Sequence, residues 1–185
     1  MQWELPKSVE IDGIEHKIRN ECDYRVVLDV ISALNDKELD EQSRIQCALF
    51  VFYDDLSKIT DVQTAVDEML KIINCGDEEK EENTEPKPKL IDWEHDFNNI
   101  APPVSRVLGY SVRDDKNYTH WYDFVGAYME IGDCYFSQIV SIRSKKIKGK
   151  KLDETDRQFY KEHKKDIDLP MELSDDEKEW LDSDW

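Results

Sequence analysis

Glycine is scarce here, with six residues in a chain of 185, and no P-loop, G-x-G-x-x-G, H-E-x-x-H or G-x-S-x-G sequence occurs. The common phosphate-cradling and hydrolase signatures, which place glycine where backbone must approach a ligand, are therefore absent. The four cysteines, Cys22, Cys47, Cys75 and Cys134, lie far apart with no C-x-x-C pair. That spacing argues against a zinc site and a disulfide framework, and fits a reducing cytoplasm. No two of His16, His95, His120 and His163 stand four residues apart, so no helical metal pair is available and each reads as a surface or boundary residue. No apolar run approaches the roughly 20 residues that span a bilayer, and no basic segment followed by an apolar stretch opens the chain. The expectation is a protein neither secreted nor embedded in a membrane.

Positive charge is also short. Lys and Arg number 25 against 43 Asp and Glu, a net charge of −18, so most of the surface repels phosphodiester backbones and nucleic acid is not an expected partner. Carboxylates this abundant fall beside one another by chance. Glu94 with Asp96, and Asp175 with Asp176, read as solvated surface, because paired carboxylates catalyse only where the environment separates their pKa values. Cys134, in IGDCYFS, has an acid beside it instead of the cation that would activate a thiol, and reads as a half-buried structural residue. No catalytic group, metal or cofactor is expected, and the chain reads as a non-enzyme.

What is present is helical periodicity, and the fold class expected is mainly α, with a short N-terminal β-hairpin. Ser8 to Arg19 alternates Val9, Ile11, Ile14 and Ile18 with polar residues around Asp12-Gly13, a favoured tight-turn pair. Asp23 can cap a helix over 24–35 whose apolar face is Tyr24, Val27, Leu28, Ile31 and Leu34. Ile45, Ala48, Leu49 and Phe52 mark a second helix, widened by Phe50 and Val51 into the expected buried centre of its domain. Thr60 with Gln63 fits a capping box ahead of Val62, Ala65, Val66, Met69, Leu70 and Ile73, with Gly76 as the stop. These elements define an N-terminal domain over 1–76. Residues 77–89 hold no apolar residue and two prolines, the composition of a linker.

A second helical domain is expected over 90–170, followed by an acidic tail over 171–185. Ile91, Trp93, Phe97, Ile100, Val104 and Leu108 recur at helical intervals, but Pro102-Pro103 predicts a break there, since proline removes a donor and clashes with the preceding turn. Thr119 can cap a helix bearing Trp121, Phe124, Val125, Tyr128 and Met129, closed by Gly132-Asp133. Phe136, Ile139, Val140 and Ile142 mark the next helix, and Asp153 caps a final one with Phe159, Tyr160 and His163.

Two local features depart from this background. RSKKIKGKK, residues 143–151, holds six cations and no acid. It reads either as a solvated helix end, where cations meet the C-terminal dipole, or as a docking patch for an acidic surface, including another copy of the chain. Aromatic side chains concentrate between Trp121 and Phe136, where they serve a core or an interface equally well. The candidate partner-binding residues are Trp121, Phe124, Tyr128, Phe136, Arg143, Lys145, Lys146 and Lys148.

The stretches SVEIDGIEHKI, DYRVVLDV, INCG, IDWEHDFNNI, HWYDFVGAYMEIG, FSQIVSIRSKKIKGKK and RQFYKEHKK, in that order over residues 5–170, resemble the phage gene-product-fifteen family of Gram-positive siphophages. Pro102-Pro103 falls where relatives continue a helix, and the tail beyond Leu169 extends past the similarity. The resemblance implies a tail assembly chaperone that works in the host cytoplasm, coating the tape-measure protein until tube subunits polymerise around it. The tail-tube protein is a further candidate partner, and self-association along the client is expected. A different class of function, an acidic DNA mimic that occupies a host factor, is the alternative.

Overall fold

The computed structural model describes residues 4–76 and 89–170. Of the expected linker at 77–89, residues 77–88 lie outside them, as does the tail at 171–185. The chain is mainly helical behind a two-stranded hairpin, β1 (Ser8–Ile11) and β2 (Ile14–Lys17). Asp12 and Gly13 take φ of 52° and 76°, the two positive values that a type I′ turn requires. The register pairs Val9 with His16, so His16 points inward and is buried, where a surface or boundary position was expected. Its ring meets Tyr53 edge-on at 6.4 Å, and Nε2 has no hydrogen-bond partner among the described residues. Ile14, at the turn, is exposed instead.

Asn20, Glu21 and Cys22 follow with φ of 48°, 53° and 66°. Left-handed backbone costs about 1–2 kcal/mol per L-residue, so neighbours must hold this turn in place. Arg19 donates to the carbonyls of Phe50, Val51 and Tyr53, and the Tyr118 hydroxyl donates to the carbonyl of Glu21. Burial pushes the Cys22 thiol up to about 12, which keeps it protonated and unreactive at neutral pH.

Helix α1 (Tyr24–Asn35) starts at Asp23, whose carboxylate accepts from the Arg25 amide. Its buried face is Tyr24, Val26, Val27 and Val30, rotated from the expected one, because Leu28, Ile31 and Leu34 are only half-buried. Helix α2 (Glu41–Phe52) buries Ala48, Leu49 and Phe52 but leaves Phe50 67% exposed, so it is covered on one side only and is not the buried centre expected. Helix α3 (Val62–Ile73) is capped by Asp61, not by a Thr60 box. Thr60 instead donates to Asp12. The stop uses Cys75 as well as Gly76, both left-handed, with the Gly76 amide donating to Lys71 and the Cys75 amide to Ile72, a Schellman closure.

Helix α4 (Trp93–Leu108) runs through Pro102 and Pro103 without the expected break. Ile100, Ala101 and Val104 are buried around the prolines, and this apolar face outweighs the two lost amide donors. Helix α5 (Trp121–Met129) is capped by His120 in place of the expected Thr119. Nδ1 accepts from the Tyr122 amide, so Nε2 carries the proton and donates to the carbonyl of Pro6. Histidine is not among the favoured caps, and a buried His120 was not expected from its surroundings in sequence. Helices α6 (Tyr135–Ile147), α7 (Glu154–Glu162) and α8 (Lys164–Ile167) complete the chain, α7 starting at Asp153 as the sequence predicts.

Helix α6 ends in a second Schellman closure, in which the Lys150 amide donates to Lys145 and the Gly149 amide to Lys146. Gly149 has φ of 61°, and a Cβ there would meet nothing within 4 Å. Gly149→Ala therefore tests backbone conformation alone. A loss of about 1 kcal/mol in urea unfolding is the expected result.

Two compact units interleave along the chain. Unit 1 takes residues 4–76 together with Ile100–Gly132, and unit 2 takes residues 89–99 with 133–170. The expected boundary at the linker assigned 100–132 to the second domain. Contacts between distant parts of the sequence place it with the first: Tyr24 donates to the carbonyl of Val112 and the Trp121 indole to that of Ile73.

Candidate partner-binding surfaces

Trp121 and Phe124 project inward from α5 and are buried. Phe124 stacks on Tyr24 with ring centroids 4.3 Å apart and planes 2° from parallel, and Trp121 stacks with Phe124 at 5.9 Å. These rings form the core of unit 1, so the expected partner role of Trp121 and Phe124 gives way to a packing role. Phe136 is buried on α6 in the same way. The opposite side of α5 remains open. Tyr122, Val125, Gly126 and Met129 stand at i, i+3, i+4 and i+7, with Tyr122 and Val125 half-buried, Gly126 exposed and Met129 72% exposed. A Cβ on Gly126 would meet nothing within 4 Å. Tyr128 is half-buried beside this strip.

The basic island divides sharply in unit 2. Arg143 is 4% exposed and donates to both oxygens of the fully buried Asp96 at 2.6 and 2.8 Å. It also donates to the carbonyls of Leu90, Asp166 and Ile167, so every guanidinium nitrogen is engaged. Its role is to tie α4, α6 and α8 together, which corrects both its expected docking role and the solvated reading of Asp96. Lys145 pairs with Asp156, whose carboxylate holds the ammonium above the usual lysine range. Lys146 pairs with Asp168 and lies over the Tyr160 ring. Lys148, Lys150 and Lys151 are exposed and make no ion pair with the described residues. The cationic surface left for a partner is thus the end of α6 and the turn after it.

Unit 1 also carries an open groove of about 590 Å³ between α2 and the start of α3. Its apolar lining is Ile45, Leu49, Leu56, Ile59 and Val62, with Val62 56% exposed. Glu41, Gln42 and Gln46 line the same groove from the exposed side of α2.

A profile of the bacteriophage Gp15 protein family matches residues 1–169. The chain belongs to that family. No curated protein and no solved structure matches it.

In this Gp15-family protein the described residues contain no group of three or more His, Cys, Asp or Glu placed to hold a metal ion. They also contain no helix long and apolar enough to cross a membrane. Unit 2 does bring Tyr135, His163 and Asp166 into contact, the phenol bonding His163 Nδ1 and donating to Asp166. Burial and the Asp166 bond push that phenol up to about 12, so it stays protonated at neutral pH and serves as a donor, not a nucleophile.

Two further arginines share the work of Arg143. Arg19 holds the end of α2, as above. Arg25 reaches the carbonyls of Val112, Asp114 and Asn117 while pairing with Asp23. The planar five-donor guanidinium suits such clusters of carbonyls, but single-residue context in the sequence carries no mark of it.

Proposed function

We propose that this phage protein is a non-enzymatic tail assembly chaperone that binds the tape-measure protein in the host cytoplasm before tube subunits polymerise. The outer face of α5 carries this reading. Its apolar strip at i, i+3, i+4 and i+7 is the pattern by which one helix receives another. Gly126 at its middle lets a second backbone approach closely, and the strongly acidic remainder of the chain keeps a complex dispersed. A long amphipathic helical client is the chemistry that fits.

The test is co-expression with the cognate tape-measure protein, followed by size-exclusion chromatography of the soluble fraction. A soluble complex is expected for the native chain, and its loss for Met129→Asp. An insoluble tape measure beside free native chain would overturn the reading. Gly126→Ala sharpens the experiment: helix propensity raises stability by about 0.5–1 kcal/mol, while the added methyl group weakens client capture. A variant that is both more stable and equally good at capture would remove α5 from the binding surface.

A further inference from the structure

Two exposed features, one in each unit, have no ion-pair partner among the described residues and are complementary to each other in charge. The groove of unit 1 is an apolar trough in acidic surroundings. Residues 36–61, which build most of it, carry seven carboxylates against three cations. Glu38, Glu41 and Asp54 among them make no ion pair with the described residues. Glu41 stands on the groove itself.

The end of α6 in unit 2 is the converse, an apolar residue in basic surroundings. Ile147 is 45% exposed on the last turn. Lys148, Lys150 and Lys151 surround it in sequence, all exposed and unpaired among the described residues. The Schellman closure at Gly149 fixes the path of the chain there, so the knob is already ordered and loses little entropy on docking.

We propose that copies of this chain associate head to tail, the end of α6 on one copy seating Ile147 in the α2–α3 groove of the next. Three unpaired lysines then face three unpaired carboxylates, and the apolar trough is closed by an apolar side chain. In this head-to-tail arrangement each bound copy leaves one knob and one groove free for further copies. One small contact of this kind is weak alone, so the chain of copies forms reversibly and strengthens where copies are held close together. This inference does not depend on the identity of any client.

Sedimentation equilibrium of the full chain over a range of concentrations tests it. At low salt the weight-average mass is expected to rise from the single-chain 21.9 kDa past two copies without levelling. High salt, which screens the charges, is expected to weaken each step by about tenfold. Two variants at exposed positions separate the surfaces: Gln42→Lys with Gln46→Lys makes the groove basic, and Lys150→Glu with Lys151→Glu makes the knob acidic. Each alone should stay a monomer. Mixed in equal amounts, the intact knob of the first should meet the intact groove of the second, and the two altered surfaces, one basic and one acidic, attract as well, so mixing should restore association. A native chain that stays monomeric, a native plateau at two copies, or a mixture that stays monomeric would each overturn the proposal.

Discussion

Asp96→Ala is expected to destabilise the protein by about 3–5 kcal/mol, because it leaves the buried Arg143 guanidinium without its counter-charge. Asp96 is fully buried and accepts from two guanidinium nitrogens, so the charge it neutralises is shielded from solvent. The carbonyls of Leu90, Asp166 and Ile167 remain, but they carry no net charge. Against a total stability of about 5–15 kcal/mol for a typical domain, this loss removes a large share of the margin. Urea unfolding of the single variant and of Asp96→Ala combined with Arg143→Met separates the causes. If an unpaired charge is what costs, the double variant recovers part of the loss. If instead the bridge itself supplies the stability, the double variant is as unstable as the single one, and this account fails.

Phe124→Ala is expected to cost a similar amount, about 3–5 kcal/mol, by opening a cavity between α1 and α5. The ring is fully buried, stacked on Tyr24 and flanked by Trp121, so the walls of the cavity are large rigid side chains with little freedom to collapse. Thermal unfolding followed by near-ultraviolet circular dichroism reads both the stability and the Tyr24 and Trp121 environments. A change below about 1 kcal/mol would mean that Phe124 is peripheral and that the exposed face of α5, not the buried one, organises this region. That outcome would restore the aromatic segment as a whole to the binding surface.

The charge balance of the chain makes these two sites informative. With 25 cations against 43 acids, an arginine placed inside is a cation withheld from a surface that has few. Arg19, Arg25 and Arg143 are each placed against backbone carbonyls of residues far away in sequence. The island at 143–151 therefore combines a structural half, Arg143 to Lys146, with a free half, Lys148 to Lys151. The division follows helix geometry: the first half faces partners on α4, α7 and α8, whereas the second follows the last turn into solvent.

Signals that act over a few residues are legible in the amino-acid order itself. Asp12-Gly13 specifies the hairpin, Asp23 and Asp153 mark the starts of α1 and α7, and apolar spacing implies the mainly helical class with α1 bounded at 24–35. Each depends on hydrogen bonds or φ values inside one element, which nearby residue types control. Burial and partnership are decided by the tertiary structure. Arg143 meets Asp96 across 47 residues, Tyr24 meets Val112 across 88, and His120 caps α5 while reaching Pro6 across 114. Pro102-Pro103 reads locally as a break, yet the buried face of α4 carries the helix through it. A solvated cation and a buried clamp look alike within their own turn of helix, because what separates them is the carboxylate or carbonyl brought to them by another part of the fold.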